Sequence, residues 1–232
     1  TMFQSIINRF KDLFTNSSVA CYSLKGRKDR QEDSYYCSPE TQNGRLVIVA
    51  DGVGGHGHGD FASQLCVNHF KSSFENAEKI EDVESFLRQN AMSVASLVLQ
   101  KGEEKPEYKN CGTTLTGFLI RGNFFYTINI GDSRVYIYNQ KKQLHRLTTD
   151  HSIVQELIDQ NKLTEEEART HHQKNIMTSA IGQPLDKIKI DVEGPLKIED
   201  DEYLIACSDG VHDALTDNQI KDIVAMENSI KT

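Results

Sequence analysis

Proline is scarce, at four residues in 232, and no low-complexity tract, internal repeat or linker interrupts the chain between Val19 and Glu227. An uninterrupted chain of this length reads as one large domain, able to bury a core without disulfides or structural metal. Long apolar runs are also lacking, so neither a bilayer-spanning helix nor a secretory signal is visible. The five cysteines (Cys21, Cys37, Cys66, Cys111 and Cys207) are odd in number and show no CxxC spacing. Four of them sit in apolar runs, and buried free thiols in a reducing compartment, the cytoplasm, are expected. Positive charge is the remaining shortage. With 26 Lys and Arg against 34 Asp and Glu the net charge is −8, which argues against nucleic acid as the main partner. A single phosphate held by a local cation or metal is not excluded. The apolar and charged shares, 38% and 26%, are ordinary for a globular protein in water.

What is present begins with Met2, Phe3, Ile6, Ile7, Phe10, Leu13 and Phe14, apolar at helical spacing and followed by Asn16-Ser17-Ser18. This segment, residues 1–18, predicts a helix docked on its own domain; a membrane-surface or partner-binding helix is the alternative. From Val19 the spacing predicts strands over Val19–Leu24, Leu46–Ala50, Thr114–Ile120, Phe124–Ile130, Arg134–Tyr138, Leu144–Leu147, Ile188–Val192 and Tyr203–Ala206. Turn signals at Arg121-Gly122-Asn123 and over 139–142 join some of them as hairpins. Helices are predicted over Phe61–Phe74 and Val83–Leu99, with shorter ones at Ile153–Gln160, Thr164–Thr170 and Asp217–Ala225, the last capped by Thr216. Hairpins interrupted by paired helices imply an α/β (α+β) fold: two packed, mostly antiparallel sheets flanked by helices, an αββα sandwich over residues 19–232.

The chemistry concentrates where apolar strands run into acids. Leu46–Ala50 leads into Asp51-Gly52-Val53-Gly54-Gly55-His56-Gly57-His58-Gly59, a glycine density that suits close backbone approach to a ligand. Alone, this reads equally as a glycine-rich turn with a capping Asp. Tyr203–Ala206 likewise leads to Ser208-Asp209-Gly210, and Gly131-Asp132 follows another strand. Glu32-Asp33 follows the cations Lys25, Arg27, Lys28 and Arg30. Several acidic strand ends in one domain repel unless neutralised. Oxygen-rich donors without His/Cys spacing favour Mg²⁺ or Mn²⁺ over Zn²⁺. His56 is a candidate general acid for a leaving alkoxide, or orients the loop by hydrogen bonding. His151, His171 and His172 read as structural.

In order along the chain stand Gln31-Glu32-Asp33-Ser34, the DGxGGHxxGxxAS block from Asp51 to Ser63, Gly112-Thr113-Thr114, the GDSR of Gly131–Arg134, Leu147-Thr148-Thr149-Asp150-His151-Ser152, the stretch Asn175–Gly182, and the SDGxxD of Ser208–Asp213. These motifs resemble, over roughly Val19 to Ala225, the PPM family of metal-dependent type 2C serine/threonine protein phosphatases in its bacterial form. The resemblance implies a phosphoric monoester hydrolase acting on phosphoserine and phosphothreonine of proteins phosphorylated by a serine/threonine kinase. It also implies that Asp51 bridges two metals roughly 3.5–4 Å apart and lowers, through them, the pKa of a bridging water. Gly52 would lend its carbonyl to one metal, Asp209 would complete one site, and Glu32 and Asp33 would support the other. Asp132 and Asp213 match the positions of a third, weaker metal, and 164–172 matches a mobile flap.

Two departures accompany the resemblance. Where relatives place a phosphate-clasping Arg, this chain has Lys28, flanked by Arg27 and Arg30. Lysine is a point charge rather than a planar fork, so Arg27 is the favoured clamp. The chain is also expected to stop short of an Asp-Asn-x-Thr motif, lacking a last strand and one carboxylate beside Asp209. The alternative function is therefore a weakened phosphatase-like domain that binds a phosphoprotein or regulates a kinase.

Overall fold

The run Leu46-Val47-Ile48-Val49-Ala50 shows no polar alternation because both faces of its strand are covered. In the computed structural model, which describes residues 19–26, 30–54, 58–139, 141 and 143–228, the run is the middle of β2 (Arg45–Val53). Leu46, Ile48 and Ala50 enter a core shared with two long helices, whereas Val47 joins Phe118 and Val135 in a second, smaller core. Side chains alternate across a strand, so burial on both faces requires an apolar residue at every position.

Strand β2 pairs antiparallel with β1 (Asp33–Cys37) on one side and β4 (Leu115–Arg121) on the other. The sheet continues through β5 (Phe124–Ile130) to β8 (Asp191–Lys197), and the two-residue β3 (Gly112–Thr113) also pairs with β2. A second antiparallel sheet is ordered β7 (Gln143–Arg146), β6 (Arg134–Asn139), β9 (Tyr203–Cys207). Helices α1 (Gly59–Glu75) and α2 (Val83–Glu104) cover the outer face of the first sheet. They bring Cys66, Phe70 and Phe74, and Leu87, Ala91 and Val94, into the larger core at helical three- and four-residue spacing. Short helices α3 (Ile153–Asp159), α4 (Glu165–Ala168) and α5 (Asp209–His212) follow. The last helix, α6 (Asp217–Asn228), sets Ile220 and Val224 against Tyr136 and Cys207 of the second sheet. Helices, sheet, sheet and helix therefore stack as four layers, the expected αββα arrangement.

Several boundaries differ from the sequence expectation. Val19–Leu24 forms no strand; Tyr22 and Leu24 stay exposed, so the run has no buried face to hold it in a ladder. Strand β1, unpredicted, is an edge strand whose one buried residue is Tyr36, and a single inward side chain gives almost no periodic signal. The strand expected at Ile188–Val192 starts at Asp191, because Leu185–Lys187 forms a 3₁₀ turn, and runs on to Lys197. The helix expected over Thr164–Thr170 contracts to α4, closed at its start by a capping box of Thr164 and Glu167. Cys66, Cys111 and Cys207 are buried, but Cys21 and Cys37 are half-exposed, against the expectation of burial. Among the described residues no helix is long and apolar enough to cross a membrane. The helix expected within residues 1–18 lies outside the described residues.

Thr216 acts as the expected cap of α6: its Oγ1 accepts from Gln219 N at 3.3 Å, and Gln219 Oε1 accepts from Thr216 N at 2.8 Å. Thr216→Ala is expected to cost about 1 kcal/mol. Leu119→Ala, in the fully buried larger core, is expected to cost about 2–5 kcal/mol. Equilibrium urea denaturation reads both, and equal losses would contradict the ranking of the buried core above the cap.

Candidate active site

Asp51 sits where β2 ends, on the face that Val47 turns toward the second sheet. It is 5% exposed. Its partner in register on β1 is Asp33, and directly opposed antiparallel residues place their Cβ atoms roughly 4.5–5.5 Å apart on one face. Two carboxylates so placed repel one another. Asp33 is also tied to the other sheet, since Ser208, just past β9, donates its Oγ to Asp33 Oδ2 at 2.9 Å. That bond brings the next residue, Asp209 at the start of α5, to the same end of the sandwich.

The main chain of Asp51 is held from three sides. Its N–H donates to Thr114 Oγ1 at 2.9 Å, and its carbonyl accepts from Thr114 N at 2.9 Å and Thr113 Oγ1 at 3.0 Å. Thr114 Oγ1 in turn meets Ser133 Oγ at 2.8 Å, linking Asp51 to the turn that carries Asp132. On the other side Gly52 N donates to Glu32 O at 3.1 Å. Ser63 Oγ reaches the same carbonyl at 2.5 Å. Gly52 also lies directly against Gly59, the first residue of α1: a Cβ on Gly52 would meet Gly59 O at 2.2 Å, and one on Gly59 would meet Gly52 C at 2.6 Å. Glycine at both positions is what lets α1 start against the Asp51-Gly52 peptide.

Asp132 follows Gly131, whose φ of +105° suits glycine. Burial first, and then the charges of Asp209 and Asp150, push the Asp132 carboxyl up to about 7. His151 fixes this turn, as its structural assignment predicts. Its Nδ1 accepts from Gly131 N at 3.2 Å and its Nε2 lies 3.0 Å from Asp191 Oδ2. The proton therefore sits on Nε2 and is donated to the carboxylate. Asp150 is neutralised by Arg134, whose Nε and Nη2 reach it at 3.0 and 2.7 Å, so the GDSR and TTDHS motifs close into one buried ion pair. His212 places Nε2 3.0 Å from Asp132 O, and burial lowers its pKa.

Asp213 is placed differently. Its carboxylate accepts from Lys174 Nζ at 2.6 Å, and Arg169 donates to His212 O and Asp213 O at 2.9 and 3.1 Å. The segment after α4 is thereby fastened to the end of α5. Arg30 is exposed and Glu32 partly so. Arg27, Lys28 and His56 lie outside the described residues. His58 packs its ring edge-on against Tyr108 at 5.6 Å, and the rings of His171 and His172 lie 4.3 Å apart at a tilt of 39°. Sequence reasoning missed the Ser208–Asp33 bond, the His212 contact and the Arg169–Lys174 fastening. A hydroxyl beside an Asp-Gly was a visible signal for the first; the others depend on contacts between distant segments.

Among the described residues no three His, Cys, Asp or Glu side chains converge on one point; the acids come as neighbours, Asp33 with Asp51 and Asp132 with Asp209. Like-charged, all-oxygen donors of this kind fit a hard divalent cation, and after burial the charges of Asp209 and Asp150 help to raise the pKa of Asp132.

Comparison with known proteins agrees with this geometry. A family model described as protein phosphatase 2C matches residues 23–230. Protein phosphatase PhpP of Streptococcus pneumoniae is 33% identical over 205 residues, covering 87% of this chain and 82% of PhpP. The crystal structure of serine/threonine phosphatase Stp1 from Staphylococcus aureus superimposes with a TM-score of 0.81 at 33% identity, over 88% of this chain and 80% of that one. The catalytic domain of serine/threonine protein phosphatase PstP, solved in complex with 2 manganese ions, gives 0.71 at 27% identity over 88% and 84%. By its motifs, its paired sheets and these likenesses, the chain belongs to the protein phosphatase 2C family.

Proposed function

We propose that this protein phosphatase hydrolyses phosphoserine and phosphothreonine in proteins with two divalent cations, Mg²⁺ or Mn²⁺, held at the end of the sandwich. The observation that carries the reading is the opposition of Asp33 and Asp51 beside the Ser208-tethered Asp209. The two manganese ions of PstP support it. When bound, the cations neutralise the clustered carboxylates and supply the Lewis acidity that makes water nucleophilic near neutral pH.

The residues divide the remaining work. Asp51 would serve both ions and the Gly52 carbonyl one of them, Asp209 would complete one ion's oxygen set, and Glu32 and Asp33 would support the other. Asp132 and Asp213 offer a weaker third position, which Lys174 contests by its ion pair with Asp213. Arg27, with Lys28 and Arg30, grips the substrate phosphate, and a guanidinium there forms two parallel hydrogen bonds. His56 orients the glycine loop or protonates the leaving alkoxide. The substrate is a protein phosphorylated by a serine/threonine kinase, the setting is the cytoplasm, and residues 1–18 dock on the domain. A weakened, phosphoprotein-binding domain is the second reading, favoured by Lys28; turnover equal to that of PhpP on the same peptide removes it.

Mn²⁺-dependent hydrolysis of an aryl phosphate and a phosphothreonine peptide is expected, abolished by Asp51→Asn and by chelation. Undiminished rates in excess chelator would sink the reading. Thr114→Val, which removes the hydroxyl holding Asp51 N, is expected to lower apparent Mn²⁺ affinity or activity about 10–100-fold. Arg27→Ala is expected to raise KM more than Lys28→Ala does; the reverse order would move the clamp to Lys28.

A further inference from the structure

Cys21 and Cys37 stand apart from the other cysteines. Cys66, Cys111 and Cys207 are buried, whereas these two are half-exposed, and the Cys21 thiol is hydrogen-bonded to Cys37. Cys37 is the last residue of the edge strand β1. Cys21 lies on the stretch 19–25, outside any strand or helix. Arg45, the first residue of β2, acts electrostatically on both sulfurs and favours their ionised forms. It also pairs with Glu40 at 3.3 Å.

We infer that Cys21 and Cys37 form a hydroperoxide-oxidisable dithiol that closes to an intramolecular disulfide. The inference is independent of the catalytic reading above. The two thiols lie within hydrogen-bonding reach of each other, both are partly open to solvent, and Cys21 lies outside any strand or helix, so the approach that a disulfide needs is already in place.

Their roles follow from which sulfur carries the proton. The hydrogen bond from Cys21, followed by the charge of Arg45, outweighs burial and lowers Cys37 to about 7, while the same bond, burial and the Cys37 charge raise Cys21. The pair therefore releases one proton near neutrality and holds the second. When protonated, Cys37 directs its S–H to Ser38 O at 3.8 Å. The Cys37 thiolate is the nucleophile. It attacks one oxygen of the hydroperoxide, the S–O bond forms as the O–O bond breaks, and the departing alkoxide or hydroxide takes a proton from water. The sulfur is now a sulfenic acid, oxidised by two electrons. The Cys21 sulfur displaces its hydroxyl: the S–S bond forms, the S–O bond breaks, and the Cys21 proton leaves with the hydroxide as water. Two thiols and one hydroperoxide give one disulfide, one alcohol (or water) and one water. A thiol reductant reverses the bond by exchange.

The covalent loop would enclose 22–36, the stretch that contains Arg30, Glu32 and Asp33. It would clip the segment leading to these residues onto the far end of the strand that carries Asp33.

The test uses the whole chain and hydrogen peroxide at low molar excess, followed by alkylation of free thiols and unreduced peptide mapping. The expected result is a fall from five titratable thiols to the three of Cys66, Cys111 and Cys207. A Cys21–Cys37 cross-linked peptide should appear, and dithiothreitol should restore both thiols. In Cys21→Ser the cross-link is expected to vanish and Cys37 to be trapped as a sulfenic acid by a dimedone probe. In Cys37→Ser no such adduct should appear on Cys21. Retention of all five thiols in the wild-type protein overturns the proposal. So does conversion of Cys37 to sulfinic acid without a cross-link, or loss of a buried thiol as fast as the pair.

Discussion

Asp33 faces Asp51 across two paired strands, and that repulsion sets conditions on the structure around it. Opposed carboxylates on a sheet destabilise it, so their positions persist only where other contacts hold the main chain. Thr113 and Thr114 hold Asp51 from β3 and its exit, Glu32 O anchors Gly52, and α1 closes on Gly52 through Gly59. Ser208 supplies the hydroxyl that satisfies Asp33. Its Oγ makes no cap bond at the start of α5, so a local contact is forgone for one between the two sheets.

The second acidic neighbourhood is handled by different chemistry. Asp150 is neutralised inside the protein by the planar fork of Arg134, a geometry suited to carboxylates. Asp191 is met by His151 and Lys189. For Asp132, burial and the charges of Asp209 and Asp150 outweigh the attraction of Arg134, and its pKa rises. Burial alone therefore does not fix how an acid is balanced: Asp150 is buried and paired with Arg134, whereas the carboxyl of Asp132 is pushed up by its surroundings.

How far the molecule could be read from its sequence depended on the range of the interaction. The double-faced β2, the β4–β5 hairpin and both long helices were legible because their burial imposes a pattern on neighbouring residues. The acid-glycine strand ends were legible for the same reason, as glycine density marks close backbone approach. Strand β1 was not, because an edge strand with one buried tyrosine imposes no pattern. Nor was the registry that sets Asp33 against Asp51, which is a property of two strands together. The roles of Lys174 and Arg169 depend on 164–174 folding back on α5, a contact over about forty residues of chain that no local spacing encodes.

The small core of Val47, Phe118 and Val135 is the main apolar seam between the sheets, and it has a consequence for cooperativity. The three-stranded layer has fewer fully buried side chains than its partner, even with Cys37, Leu147, Leu204 and Ala206 packed against the seam, and is expected to open at lower free energy. Asp209 travels with that layer, while Asp33 and Asp51 belong to the other. Any cation shared between them binds the closed form and loses donors when the seam parts, so its free energy of binding adds to the free energy of opening. The ion that would serve the chemistry would then also act as a fastener, making the local opening of the weaker layer dependent on divalent metal concentration.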